Sequence, residues 1–307
     1  MAYSSDEYKN SSRNASEELE AIEGPGADVD KRFLEVYIVI SLVCLTANIL
    51  IIFVILKYKR LRQEKWSIII LNWAIINCPL TIISPTTFGT ALYLLHLVSY
   101  KIFCLVQQIE HILFLADLLL IIILTIYWYL KLYHTEKYVK LCQNIKGVLI
   151  FVYVLLIFLA GFNVYTCINR WFLLPEIILY LSELVFILFM AVINIVHAVK
   201  MRRLVDYSNR KNIPFLLSNT LFLSYLLVLL VLLTESYFSH LTVQILINVA
   251  LCIATLNPFY FFMILYHSDR NYNTFFKHLL SCRCKEYNDE LVEEHAVSYN
   301  NGIENIC

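Results

Sequence analysis

Residues 104–134 decide the fold and read CLVQQIEHILFLADLLLIIILTIYWYLKLYH. A membrane-spanning α-helix needs about 20 apolar residues at about 1.5 Å each, and this stretch is long enough. Glu110 and Asp117 lie inside it, seven residues apart and therefore on one helical face. Because a carboxylate near mid-bilayer costs about 2.5–3.5 kcal/mol, it normally faces protein or a wet cavity. The sequence therefore predicts a helix at the centre of a bundle.

The composition indicates the same class of protein. Hydrophobic residues make up 60% of the 307 residues and charged residues 16%, whereas soluble domains contain about 25% charged residues. The long apolar runs lie at 34–56, 66–95, 102–130, 147–166, 175–199, 214–238 and 243–266. Each run is long enough to cross a bilayer. The sequence thus predicts an all-α, seven-transmembrane-helix bundle, in a multi-pass protein of the plasma membrane. The net charge of zero gives no reason to expect nucleic-acid binding.

The chain divides into four predicted segments. Residues 1–32 are polar and acidic with no apolar leader, and we expect a disordered extracellular tail there, or a collector of cationic ligands. Residues 33–268 form the seven-transmembrane domain. Residues 269–281 are predicted to be an amphipathic helix on the membrane surface, with an apolar face that includes Phe275 and Phe276. Residues 282–307 form a cytoplasmic tail.

The orientation follows from the placement of basic residues. With the N-terminus outside, most Lys and Arg residues fall on the cytoplasmic side, as the positive-inside rule requires. Asn10 and Asn14 begin Asn-X-Ser sequons in the outer tail, so we predict glycosylation there. Cys282 and Cys284 follow the amphipathic segment and are predicted palmitoylation sites.

Two more cysteines and several amides have informative positions. Cys104 and Cys167 are placed at or near the outer surface, where an oxidising environment permits a disulfide. Asn48, Asn77 and Asn257 lie in the inner halves of the first, second and seventh predicted spans. Because a buried amide needs a partner, we expect these helices and the third to share a polar cluster.

The order of these features resembles the rhodopsin-like family of G-protein-coupled receptors over roughly residues 33–284. The resemblance is carried by Asn48, by LNWAIIN at 71–77, by Cys104 and Cys167, and by NPFYF at 257–261. The amphipathic segment after the seventh span completes the order. The resemblance implies a Cys104–Cys167 disulfide, an extracellular ligand of peptide or amine type, and a heterotrimeric G protein or arrestin as cytoplasmic partner.

The residues that match the family's conformational switches depart from its usual pattern. Tyr127, Trp128 and Tyr129 stand where the family has Asp-Arg-Tyr, although the spacing from Cys104 is one residue short and permits a slip by one. After Pro258, Tyr260 precedes Phe261, which occupies the family's tyrosine position. Since the arginine is missing, a non-signalling decoy or scavenger receptor is the alternative function.

Asp117 falls where the family usually has a serine that lines a sodium pocket. One hypothesis is therefore a cluster of Asn48, Asn77, Asp117 and Asn257 that responds to Na⁺ or protons. The alternative is a protonated Asp117 that hydrogen-bonds Asn77 and only joins two helices. No other cofactor is expected.

Glu110 takes the position at which amine receptors of the family hold an acid against their ligand. The predicted ligand-binding residues at comparable outer depth are Glu110, His111, Glu183, Gln244 and Asn248, with Tyr153, Tyr180 and Tyr237 nearby. Such a cavity suits a ligand that carries a cation. In the alternative, Glu110 pairs with His111, Arg170 or another polar neighbour and never contacts the ligand.

Two further functional classes, a transporter and an enzyme, are alternatives to the receptor. A transporter would use Glu110, Asp117, Glu183 and His197 as an ion or proton route, but the sequence has no internal repeat. An enzyme is not expected, because HExxH and GxSxG motifs are absent from the sequence. No CxxC pair exists, and the sequence predicts no metal site.

Overall fold

The computed structural model describes residues 25–93, 100–169, 173–201, 212–233 and 239–280, and every regular element in these residues is an α-helix. In chain order they are α1 Pro25–Lys57, α2 Lys59–Gln63, α3 Lys65–Tyr93, α4 Tyr100–Tyr133, α5 Thr135–Ile168, α6 Leu173–Met201, α7 Ile213–Leu233, α8 His240–Thr255, α9 Asn257–Ser268 and α10 Arg270–Leu280. The all-α prediction is confirmed for these residues.

Six of these helices are long and apolar enough to cross a membrane, namely α1 and α3 to α7. The seventh predicted span is not one continuous helix, because α8 and α9 meet at an angle of 40°. Pro258 lies in the first turn of α9, where its missing N–H costs no hydrogen bond within that helix. The described chain therefore has six candidate spans, or seven if the bent pair is one span, which is the architecture of a multi-pass membrane protein.

The first helix begins earlier than the sequence analysis expected. α1 starts at Pro25, so residues 25–32 belong to a helix and not to a disordered tail. Proline is favoured in the first turn of a helix, which agrees with a helix that begins at Pro25. Residues 1–24, with Asn10 and Asn14, lie outside the described residues, as do Cys282, Cys284 and the rest of the C-terminal tail.

α4 is the central helix, as predicted. It packs against α3, α5, α6 and α7. Leu118, Leu120 and Ile121 point in different directions around α4, and each is at most 1% exposed. By contrast, Ile157 and Phe158 of α5 are both 72% exposed, as expected for side chains that face lipid.

A disulfide between Cys104 and Cys167 joins the beginning of α4 to the end of α5, with Cα atoms 6.2 Å apart. This is the pairing that the family resemblance implies. The two helices are consecutive in the chain and pack against each other. The disulfide therefore closes an α4–α5 hairpin at the end of the bundle opposite the α4–α5 turn.

The apolar face of α10 packs against protein, whereas the sequence analysis expected Phe275 and Phe276 to lie on the membrane. Both rings are 0% exposed, as is Tyr272. Phe275 stacks on Tyr58, with ring centroids 4.1 Å apart, and Phe276 meets the edge of Phe262 at 4.8 Å. The amphipathic pattern thus arises because α10 docks on the ends of α1 and α9.

Candidate functional site

The centre of the bundle contains a hydrogen-bonded carboxyl group. Asp117 of α4 is 1% exposed, and its Oδ1 accepts a hydrogen bond from the Asn77 side-chain amide of α3 at 2.8 Å. Its Oδ2 accepts one from the Tyr225 hydroxyl of α7 at 3.1 Å. We call Asn77, Asp117 and Tyr225 the Asp117 cluster. It joins three helices through one side chain.

Direct hydrogen bonds do not link all four residues of the predicted polar cluster. Asn257 accepts a hydrogen bond from Ser224 of α7 at 2.9 Å, and not one from Asp117 or Asn77. Asn48 is 0% exposed, and neither atom of its amide has a hydrogen-bond partner among the described residues. Ser224 and Tyr225 of α7, which were not predicted, supply the hydrogen bonds to Asn257 and Asp117, and Asn48 of α1 supplies none.

The hydrogen bonds of Asp117 are those that the helix-joining alternative predicts. Each carboxylate oxygen accepts one hydrogen bond from a neighbouring helix, Oδ1 from an amide N–H and Oδ2 from a hydroxyl. Within the described residues, no group of three or more His, Cys, Asp or Glu side chains is placed to hold a metal ion. The cluster is thus arranged to hold helices together.

Glu110 is also bonded to a neighbouring helix. Its Oε1 accepts a hydrogen bond from the Ser84 hydroxyl of α3 at 2.5 Å. Ser84 is in turn 2.8 Å from the Tyr37 hydroxyl of α1. The Glu110 chain, formed by Tyr37, Ser84 and Glu110, therefore joins α1, α3 and α4. The polar neighbour of Glu110 in this structure is Ser84.

Glu183 differs from the other two carboxylates. It lies on α6 and is partly buried, and no side chain among the described residues hydrogen-bonds it. It lies close enough to Tyr225 for the two groups to interact electrostatically. A carboxylate at membrane depth normally has a partner, and Glu183 has no hydrogen-bonding side chain among the described residues.

The cavity beside the other predicted ligand residues is small. Tyr37 and Asn248 line it together with Phe33, Phe88, Leu251 and Cys252, and its volume is about 20 Å³. That is room for about one water molecule. Gln244 lies one turn before Asn248 on α8 and is partly buried. An organic ligand at this place therefore needs α1, α3 and α8 to separate.

The tyrosines expected around the ligand do not converge there. Tyr153 of α5 donates a hydrogen bond to Oδ1 of Asn72 at 2.7 Å. Asn72 precedes Ser84, the partner of Glu110, by twelve residues on α3, which corresponds to about 18 Å along the helix. Tyr180 is 60% exposed and faces away from the bundle, and Tyr237 lies outside the described residues.

The second half of α4 carries an aromatic contact to two other helices. Trp128 stacks on Phe215 of α7, with centroids 4.2 Å apart and planes within 19°. His197 of α6 meets the edge of Trp128 at 4.9 Å. Trp128 is 4% exposed. We call Trp128, His197 and Phe215 the aromatic cluster, and it joins α4, α6 and α7 at one level.

Polar contacts at the end of α4 strengthen the link to α6. The Tyr133 hydroxyl is 2.7 Å from Nδ1 of His197. The Lys200 ammonium donates a hydrogen bond to the Tyr129 hydroxyl at 2.9 Å and lies 4.2 Å from the centroid of the Tyr133 ring. A cation over an aromatic face contributes about 0.5–2 kcal/mol. α6 packs against α4 and α7 less extensively than the other spans pack against their neighbours, so these contacts matter more there.

The remaining predicted switch residues have separate partners. The Tyr127 hydroxyl is 2.8 Å from that of Tyr138 on α5. Phe261 of α9 is 0% exposed and stacks on Trp73 of α3 with centroids 4.0 Å apart, while Tyr260 is partly buried. The triplet at 127–129 therefore contacts three different helices.

Comparison with models of known protein families and with curated proteins finds no match for this chain. Its function is therefore argued from the residues and the geometry above.

Proposed function

We propose that this protein is a divergent seven-helix receptor of the rhodopsin-like type. It crosses the plasma membrane seven times with its N-terminus outside, binds an extracellular ligand in the helix bundle, and signals to a G protein or arrestin. Asn10 and Asn14 carry glycans and Cys282 and Cys284 carry acyl chains in this proposal. The observation that supports it best is α4, which has a disulfide at one end, carboxylates in its middle and the aromatic cluster near its other end.

The ligand in this proposal carries a cationic group, and Glu183 is its counter-ion. Glu110 and Asp117 already accept hydrogen bonds from neighbouring helices, whereas Glu183 has no such partner among the described residues. A cation that pairs with Glu183 gains an interaction without breaking one. Glu183 also interacts electrostatically with Tyr225, so a cation bound at Glu183 would change the electrostatic field at the Asp117 cluster.

Signalling in this proposal uses the aromatic cluster in place of the missing arginine. The Trp128–Phe215 stack holds α7 against α4, and the His197 ring of α6 contacts both aromatic rings. Separation of this stack would free the end of α7 and expose a surface for the cytoplasmic partner. An aromatic pair of this kind contributes about 0.5–1.5 kcal/mol in addition to the burial of its apolar surface, and separation of the stack would lose that stabilisation.

The test is a panel of amines and basic peptides applied to cells that display the protein. G-protein dissociation and arrestin recruitment are measured for wild type, Glu183→Gln and the matched variant Glu110→Gln, at equal surface levels. We expect a wild-type response whose half-maximal concentration rises at least tenfold in Glu183→Gln. Glu110→Gln should reduce surface expression but change potency little, because its role is to bond α3.

Other outcomes identify the competing functions. Saturable binding of a panel member without either signal would indicate the decoy receptor. The transporter has one observation in its favour, since Tyr225 donates a hydrogen bond to Asp117 and is also within electrostatic range of Glu183. Proton or cation flux that is abolished by Glu183→Gln, in a protein silent in both signalling assays, would replace the receptor proposal by that one.

A further inference from the structure

A strongly basic surface surrounds α2 and α10 at one end of the bundle. Its Lys and Arg residues are Lys57, Lys59, Arg60, Arg62, Lys65, Arg270 and Lys277. The acids in the same two segments are Glu64 and Asp269. Glu64 accepts hydrogen bonds from Ser67 and Asn271, each at 3.3 Å, and Asp269 accepts one from the Tyr272 backbone N–H at 3.0 Å. The positive charges therefore greatly outnumber the acids, and both acids have hydrogen-bond partners of their own.

Contacts between α10 and the α1–α2 junction make this one surface. Tyr58 lies at the junction between α1 and α2, is 1% exposed, and stacks on Phe275 of α10. Its hydroxyl is 2.6 Å from Nδ1 of His278. Tyr272 donates a hydrogen bond to Ser67 of α3 at 3.0 Å, and burial raises the pKa of Tyr272 well above its ordinary value, so it remains a donor. α10 is therefore held beside α2.

Arg60 is the unusual member of this surface. One terminal nitrogen of its guanidinium, Nη1, is buried, and it has no hydrogen-bond partner among the described residues. Arg62, two residues later on the same short helix, is exposed. A buried charged donor without an acceptor is costly, so Nη1 would gain from an acceptor that a ligand brings. The planar guanidinium fits phosphate oxygens especially well.

The position of the surface identifies where that phosphate comes from. α1 ends at Lys57 and α3 begins at Lys65, and both are candidate membrane spans, so α2 lies at the level of the lipid headgroups. Clusters of about four to eight basic residues at this level attract anionic lipids. We propose that the surface of α2 and α10 binds the headgroup of a phosphoinositide, with Arg60 as its central phosphate contact. This inference rests on the proposed orientation, which places this end of the bundle in the cytoplasm, but not on ligand binding or signalling.

The experiment uses the purified full-length protein in phosphatidylcholine nanodiscs and a short-chain phosphatidylinositol bisphosphate as the probe. Binding is measured by native mass spectrometry for wild type, Arg60→Gln and the matched control Arg62→Gln. Both variants remove one positive charge from the same helix. Because a charge-assisted hydrogen bond is lost only in the first, we expect affinity to fall about ten- to a hundredfold in Arg60→Gln and less than about threefold in Arg62→Gln.

Two further measurements separate binding from folding. Arg60→Lys keeps the charge but lacks the planar fork, and we expect an intermediate loss of affinity. Melting temperatures of all variants in phosphatidylcholine should agree with wild type, since the probe is absent there. Equal losses in Arg60→Gln and Arg62→Gln, or no preference for the probe over phosphatidylserine, would overturn the proposal. Equally tight, Arg60-dependent binding of soluble inositol trisphosphate would overturn the lipid as the source of the phosphate.

Discussion

Replacement of Phe275 by alanine tests whether α10 is held by protein or by lipid. The ring is 0% exposed within the protein alone and stacks on Tyr58 at 4.1 Å. If the membrane held α10, this substitution would weaken only a lipid contact. If the docking described above holds it, the substitution leaves a cavity beneath the helix.

The expected cost follows from core substitutions. A buried Phe→Ala change destabilises by about 3–5 kcal/mol. Since α10 is a short terminal helix, this cost should appear as local opening and not as unfolding of the bundle. A loss of about 3 kcal/mol raises the population of the open state at least about a hundredfold.

Hydrogen exchange measured by mass spectrometry reports this opening directly. Backbone amides of residues 270–280 should exchange about a hundredfold faster in Phe275→Ala than in wild type, while amides of α4 remain unchanged. The matched control is Thr274→Ala, which alters an exposed neighbour on the same helix. A surface change of this kind costs within about 0.5 kcal/mol, so its exchange should change by less than about threefold.

Two results would refute the docking. In the first, Phe275→Ala and Thr274→Ala accelerate exchange equally. In the second, Phe275→Ala accelerates exchange in nanodiscs but has no effect in detergent micelles, where no bilayer is present. The docked helix requires the same acceleration in both environments, because its partner Tyr58 belongs to the protein.

Three other substitutions test the remaining contacts. Tyr225→Phe removes one hydrogen bond to Asp117 and should cost about 0.6–1.7 kcal/mol, seen as a lower melting temperature in detergent; an unchanged melting temperature would contradict the Asp117 cluster. Trp128→Ala loses the stack on Phe215 and should destabilise the protein by about 3–5 kcal/mol; it should raise basal G-protein dissociation at equal surface level, whereas a fall in basal signal would argue against the proposed role of the aromatic cluster. Cys104→Ser and Cys167→Ser should lower thermal stability equally, by about 4 kcal/mol for a loop of 63 residues, and the double variant should be no worse; additive losses would mean that the two do not pair.

Much of the Asp117 cluster could be predicted from the sequence, because a carboxylate in an apolar helix must turn towards polar partners. The spacing of Glu110 and Asp117 placed them on one face, and Asn77 was among the expected partners. Tyr225 could not be predicted in the same way. A tyrosine within a 21-residue apolar helix is compatible with packing in any direction, since its ring is apolar and only its hydroxyl needs a partner.

The docking of α10 could not be predicted because lipid and protein select the same pattern. An apolar stripe on a polar helix suits a membrane surface and a hydrophobic groove equally. What decides between them is whether aromatic partners such as Tyr58 and Phe262 are placed opposite the stripe. That depends on how α1 and α9 end, which the sequence of α10 does not contain.

The position of individual side chains along the bundle axis could not be predicted from the sequence either. Tyr153 was expected near Glu110, but it bonds Asn72, about 18 Å further along α3. Its depth depends on how far α5 is shifted and tilted against α3. Helix tilt is set by packing among neighbours and not by the length of the apolar run.

The two partners of Asp117 reach it at different times during synthesis. Asn77 precedes Asp117 by 40 residues and is already made when α4 emerges, whereas Tyr225 follows it by 108 residues. At about 5–20 residues per second, the ribosome needs about 5–20 s to supply that tyrosine. In this interval Asn77 is the one available partner of the two, and Cys167 emerges within it to close the hairpin that contains Asp117. The disulfide can therefore hold α4 beside α5 before the final helix that bonds its carboxyl group exists.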